Sequence, residues 1–499
     1  MHCTNTSISF SALVDRLAEY FAGAREEDVF VWLDIFAINQ KEGRAMAELD
    51  DGRTLAETIE TSSGCLVVLD AALLPVQRLW CLYEIGSCPE DKLELLAPAG
   101  MPDAAIAQAR GRIDAESANC FSPADKEMIE RHIQAQMGSL RELTERLQLR
   151  FTLTPLGYTA DIHALNERRR NAPLKELDKY TRFAGAMPGL AAVICGGAGE
   201  GKSTIAAALS ESCDASHFCK RSDVRRQDAA RIAHSLAYQL ALTRPAARRH
   251  ILELSDGDLE RARTDERVAS DVLLAGALNA LPGDEHAVLL IDALDEGANR
   301  LTNTAFNLLE RLAKVAPERW SLLVTMRPES MGRLGRLFSA GNRIEVHPRD
   351  LRDVSGAEVD SDATTAGKGS SETVLLQLLR GALAGSGLGG AACESVDDAY
   401  RAFFDAASRN REEATLISVV TAAREPLSES HLEMLGLLGA LHNLPGKGLL
   451  FERREYRVQM LHGSLGEWIR ATGGAAATLV GHAALAANAA AQLADTYDA

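Results

Sequence analysis

Apolar residues along this chain follow two rhythms. Leu13, Leu17 and Phe21 recur at helical spacing and predict an amphipathic helix over 11–21. Continuous apolar runs at 29–36, 65–69, 190–194, 287–291 and 320–326 have the length and β-branched content of strands buried on both faces. Between them lie helical patterns. One begins at Leu79 and runs through Trp80-Cys81-Leu82-Tyr83-Glu84-Ile85. A second starts at Ser122-Pro123, an N-terminal signal, and carries Ile129, Ile133, Leu140, Leu143 and Leu147 as one long stripe. A third aligns Ile232, Leu236 and Leu240 on one face. Strands alternating with helices predict parallel sheets covered by helices, an α/β multidomain fold. Past residue 398 the pattern changes. A helix with Leu416, Val419 and Val420 precedes Pro426-Leu427-Ser428, which caps a second helix. The segments 449–453 and 455–458 then read as a hairpin, and an Ala-rich helix closes the chain from 475.

Composition narrows the function classes. With 499 residues the chain has room for about three domains. A net charge of −17 argues against a general nucleic-acid or anionic-membrane binder, so Arg168-Arg169-Arg170 is read as a solvated face. Nine cysteines without regular spacing suit a reducing compartment. With no signal pattern and no apolar run of about 20 residues, a cytoplasmic protein is expected. His217 and Cys219 lack a second pair at metal-binding spacing and are read as a strand residue and a buried thiol. The stretches 355–371 and 381–390, rich in Gly and Ser, predict mobile loops on either side of an apolar helix at 374–379.

The sharpest chemistry lies at Gly196-Gly197-Ala198-Gly199-Glu200-Gly201-Lys202-Ser203, followed by Thr204. It joins an apolar strand to a good helix former, the setting in which backbone N–H groups close around phosphate oxygens. Lys202 would reach the β- and γ-phosphates, and Ser203 would offer its hydroxyl to Mg²⁺. About 90 residues later an apolar strand ends in Asp292-Ala293-Leu294-Asp295-Glu296. A carboxylate at that strand end suits the same Mg²⁺, so Asp292 is the expected ligand. Asp295 or, preferably, Glu296 would act on the attacking water. A third strand ends in Arg327-Pro328, whose cation could sense the γ-phosphate.

These three elements together resemble the NACHT branch of the STAND nucleotide-switch ATPases, and 217–240 resembles that family's segment between its two nucleotide motifs. The resemblance implies ATP or ADP with Mg²⁺, and GTP in place of ATP remains open. Met326 stands where the family has a small residue. Trp32-Leu33-Asp34, the strand ending at Asp70, and the Trp80–Ile85 segment resemble a TIR-like, flavodoxin-like domain. In that family a glutamate at the position of Glu84 cleaves NAD. The family's first strand has no counterpart ahead of Ser11. The helices and hairpin beyond 396 resemble a winged helix, in which His462 would contact the β-phosphate of ADP and lock a closed state. The expected domains are 1–150 (TIR-like), 151–186 (helical connector), 187–350 (three-layer P-loop NTPase), 351–395 (linker), 396–474 (winged helix) and 475–499 (helical tail). The resemblance implies a signalling switch, closed with ADP and open with ATP, that self-associates and clusters its first domain. That domain would either cleave NAD or serve only as an adaptor for signalling proteins. No internal repeat follows to serve as a sensor.

Overall fold

The computed structural model describes residues 10–21, 29–31, 33, 59, 61–62, 64–96, 109–120, 123–169, 177–197, 200–221, 223–297, 304–348, 376, 379–380, 383–384, 393–407, 410–423, 427–444, 450–454, 457–460, 463–472 and 474–497. Helix α1 (Phe10–Tyr20) buries Leu13 and Leu17, as the spacing predicts, against Leu66 and Val68. Of the strand expected at 29–36, residues 32 and 34–36 lie outside the described residues, and Val31 and Leu33 pack beside Leu66 and Val68. The described residues of this run, 29–31 and 33, form no ladder, and Phe30 is 86% exposed. Apolar side chains drive burial, but a strand also needs a neighbour to take up its backbone groups. Among the described residues, β1 (Cys65–Val68) pairs only with β2 (Leu93–Leu96), in parallel.

Helix α2 (Leu79–Ser87) forms where expected and buries Leu79, Cys81, Leu82, Tyr83, Glu84 and Ile85. The single long helix predicted from Ser122 is in fact two, α3 (Pro123–Met137) and α4 (Leu140–Leu153). The chain breaks at Gly138, where φ is +90°. Ser139 then opens the second helix by accepting the Glu142 N–H at 3.0 Å. Helix α4 serves two cores. Leu143, Leu147 and Phe151 enter the core of the first region, whereas Leu149 and Leu153 enter the core beneath the central sheet. The expected boundary at 150 therefore falls inside one helix.

After α5 (Thr159–Arg169) and α6 (Asp178–Ala184) comes a five-stranded parallel sheet. It comprises β3 (Ala191–Cys195), β4 (Ala215–Phe218), β5 (Ala287–Asp292), β6 (Trp320–Met326) and β7 (Arg343–Val346), in the spatial order β4-β5-β6-β3-β7. Alternate side chains point to opposite faces. Ala191, Val193, Leu289, Ile291, Leu322 and Val324 go to one core, with α8 (Ala229–Thr243) and α9 (Thr304–Val315) packed over them. Ala192, Ile194, Leu290 and Leu323 go to the other, beneath α7 (Lys202–Ser210), Tyr158 and Tyr180. Each buried Leu, Ile or Val contributes about 1.5–3 kcal/mol relative to exposure. Double-sided burial thus explains why these runs are continuously apolar.

The last region has its own core around Leu416, Val419, Leu432, Val458 and Ile469. Helices α10 (Val396–Ala407) and α11 (Arg411–Ala422) lead to β8 (Leu427–Ser428). Next come α12 (Glu429–Met434), capped by Ser428, and α13 (Leu438–Asn443). The hairpin β9 (Phe451–Arg454) and β10 (Arg457–Met460) completes an antiparallel sheet of order β8-β10-β9. Helices α14 (Gly463–Thr472) and α15 (Gly474–Tyr497) follow. Of the expected helix at 374–379, Leu376 and Leu379 lie buried in this core. The loop predicted at 381–390 is corrected at 383–384, which are helical with Leu383 fully buried, and the rest of it, like 355–371, lies outside the described residues. Among the described residues no helix is long and apolar enough to cross a membrane.

Candidate functional site

The P-loop candidate leaves the carboxyl end of β3, where open α/β sheets place their ligands. Of its residues, Gly196, Gly197, Glu200, Gly201, Lys202, Ser203 and Thr204 are described, and Ala198 and Gly199 lie outside. Gly201 turns the loop into α7 at φ +84°, a left-handed conformation that a Cβ would strain. Lys202 Nζ donates to Gly197 O at 2.7 Å. Burial pulls the Lys202 pKa down, against the opposing pull of Asp295 and Asp292 nearby.

The order of strands brings the remaining groups to this loop. Strand β6 lies between β3 and β5, so Arg327 emerges between the loop and Asp292. Asp292 is buried, and its carboxylate accepts a hydrogen bond from Thr325 Oγ1 at 2.5 Å, with the Ser203 side chain close by. Burial raises its pKa, while Thr325, Ser203 and Lys202 oppose the rise. Thr325 also accepts the Ala293 N–H at 2.8 Å, holding Ala293 in a left-handed conformation at φ 51°. The backbone strain sits directly after the metal-ligand candidate. Thr325 is a site residue that the sequence reading missed; its signal is its place two residues before Arg327 on a strand beside that of Asp292.

Asp295 and Glu296 part company. The Asp295 carboxylate accepts the Arg327 backbone N–H at 3.2 Å and lies 3.3 Å from Arg327 Nε. It orients the cation. Glu296 accepts the Arg221 N–H at 3.2 Å, and burial raises its pKa. A carboxylate shifted in that direction is the better general base of the two. Arg221 is held in turn, because Gln227 Nε2 donates to the Lys220 and Arg221 carbonyls at 3.2 and 2.6 Å.

His217 is structural, as expected. It is fully buried, with Nε2 on the Arg226 carbonyl at 3.0 Å and Nδ1 on the Tyr158 hydroxyl at 2.5 Å. The carbonyl can only accept, so the ring proton sits on Nε2 and Nδ1 accepts from Tyr158. Arg226 lies over the Tyr158 ring and pairs with Asp161 on α5, tying the connector to the sheet. Among the described residues no cluster of three metal-binding side chains exists around it or elsewhere.

Glu84 lies in the first region, apart from this cluster. It is buried, which corrects the ordinary expectation of a solvated helix residue. Together with Cys65, Cys81, Cys88, Pro75 and Leu93 it lines a cavity of about 30 Å³, room for a single water. Arg150 braces the end of its helix, donating to the carbonyls of Ile85, Cys88 and Pro89 at 2.9, 2.6 and 2.7 Å. Of the other residues that carry the TIR-like resemblance, Trp32 and Asp34 lie outside the described residues, and His462 of the last region does too.

Residues 181–327 match the family described as Nephrocystin 3, N-terminal. That family is NACHT-like and related to the STAND proteins. The match runs from α6 to Arg327 and takes in the loop, Asp292, Glu296 and Thr325, but less than a third of the chain. No curated protein matches the chain.

Proposed function

We propose that this chain is a nucleotide-binding switch of the NACHT type, taking ATP or GTP with Mg²⁺ at the carboxyl end of the central sheet. One observation carries the reading: Lys202, Ser203, Asp292, Asp295 and Arg327, drawn from three strand ends, lie within hydrogen-bonding or electrostatic reach of one another. The donor set fits the group. A hydroxyl beside a carboxylate offers the hard oxygens that Mg²⁺ prefers, and an ammonium and a guanidinium flank the same space. Bound there by Ser203 and Asp292, Mg²⁺ would supply neutralisation of phosphate charge. Lys202 would trade Gly197 O for phosphate oxygens, Asp295 would hold Arg327 towards the γ-phosphate, and Glu296 would accept a proton from water.

The winged-helix reading of 396–474 is supported by its order of helices, short strand and hairpin, and the lock at His462 is part of the proposal. For the first region the proposal keeps two readings, NAD cleavage at Glu84 or an adaptor that only mediates protein interactions. Nucleotide-dependent self-association of the chain is the expected output. The test titrates the full chain with ADP and ATP, with and without Mg²⁺, beside Lys202→Ala, and follows mass in solution. Binding should weaken by about tenfold or more in Lys202→Ala, the loss of a charge-assisted phosphate contact. A folded wild type that binds neither nucleotide overturns the proposal. NAD consumption that disappears in Glu84→Gln would decide the first region for cleavage, and its absence in a folded chain for the adaptor.

A further inference from the structure

A carboxylate inside a phosphate-binding loop is a liability, because it competes with phosphate for the loop's own cation. Glu200 is such a group: it stands two residues before Lys202, is buried, and lies within electrostatic reach of the ammonium. Yet its carboxylate is engaged elsewhere. Oε2 accepts the Gly197 N–H at 2.8 Å and lies 3.3 Å from His347 Nε2, just past the end of β7. The fit is tight. A Cβ placed on Gly196 would come within 2.4 Å of that same Oε2 and 2.9 Å of Pro348 Cδ, so only glycine leaves room for the clasp.

Gly197 is thus gripped from both sides, its N–H by Glu200 and its C=O by Lys202. When Lys202 leaves Gly197 O for a phosphate, the grip on the Gly197 N–H stays, beside the bond from Gly196 N–H to Met326 O at 3.3 Å. Strand β7 pairs with β3 along its length, so His347 approaches from a rigid neighbour and not from the loop itself.

Resting on the nucleotide reading above, we propose that His347 is a positioning residue of the phosphate site: it anchors Glu200 on Gly197 and so keeps that carboxylate from occupying Lys202 in place of phosphate. Removing the imidazole frees Glu200 to swing to the ammonium. Removing the charge of Glu200 makes the imidazole dispensable.

The test is calorimetric titration of the full chain with ADP for wild type, His347→Ala, Glu200→Gln and the double variant. His347→Ala should weaken ADP binding about three- to fivefold, the scale of a half-exposed ion pair. Glu200→Gln serves as the reference for the double variant: adding His347→Ala to it should change ADP affinity by less than about twofold. Unchanged affinity in His347→Ala overturns the proposal. So does a weakened His347→Ala that Glu200→Gln fails to rescue, since the imidazole would then be plain structural support. A folded wild type without ADP affinity overturns the nucleotide reading and this proposal together, whereas the first two outcomes leave the nucleotide reading standing.

Discussion

At the scale of single residues, the proposed function divides the cluster into groups that would act on phosphate and groups that would aim them. Asp295 and Glu296 are adjacent carboxylates, yet one is committed to Arg327 and the other accepts the Arg221 backbone N–H. Asp295→Asn keeps the shape and removes the charge opposite the guanidinium. On the proposed function, turnover of ATP should fall about tenfold while ADP affinity shifts by less than about threefold, measured as kcat against Kd. His217 allows a test independent of nucleotide. Burial lowers its pKa from 6.5 to about 4. The unfolded chain therefore binds this proton near pH 6.5 and the folded chain only near pH 4. Stability from this group is full above pH 6.5 and is lost as pH falls towards 4, on the order of 3 kcal/mol in all. Urea denaturation between pH 4.5 and 7 should show that slope in wild type and lose it in His217→Gln.

At the scale of elements, packing distance decides what the pattern of side chains leaves open. The Ala-rich helix α15 lies against α11 because Gly481 lets the backbones meet. A Cβ there would come 2.1 Å from the Ser418 carbonyl oxygen. Gly481→Ala should cost about 1–3 kcal/mol by overpacking. Gly439, in the short helix α13, has nothing within 4 Å of its would-be Cβ. Gly439→Ala should be neutral or stabilising by up to about 1 kcal/mol, the helix-propensity gain. Equal effects at the two sites in chemical denaturation would refute the contact. Strands β3, β5 and β6 were legible because burial on both faces makes each a continuous apolar run. Strand β2 was not, since Leu-Glu-Leu-Leu is short and its four residues are at most half-buried. The stripe from Ile129 to Leu147 misled in the opposite direction: helical periodicity survives across Gly138, while the backbone does not.

At the scale of the whole molecule, α4 joins what the sequence divides. Its Leu147 and Leu153 are both nearly fully buried, but in different cores. Polar contacts reinforce the join. Arg248 reaches Glu142 and Glu145 on α4 at 2.7 and 3.2 Å, and the Tyr238 hydroxyl reaches Glu90 at 2.9 Å. Leu147→Ala and Leu153→Ala should each cost about 2–5 kcal/mol. Because the helix is shared, both should move one common unfolding transition in calorimetry. Two transitions, each shifted by only one of the variants, would show that the cores unfold separately. This coupling bears on the proposed switch, since a rigid shared helix makes the first region follow the central sheet as one body.

The sequence by itself determined the chemistry and its local setting. Lys202, Ser203, Asp292 and Arg327 were legible because each closes an apolar strand or opens a helix, and those local rules operate over about ten residues. The tertiary structure alone decided which groups face one another. The placement of β6 between β3 and β5 brings Thr325 to Asp292, and the pairing of β7 with β3 brings His347 to Glu200. Glu84, a helix residue with no sequence mark of burial, was brought to the cavity it shares with Cys65 of β1 by the packing around α2. Pairings of this kind join residues from about 20 to nearly 150 positions apart. They arise from strand order and close packing, for which neighbouring residues carry no signal.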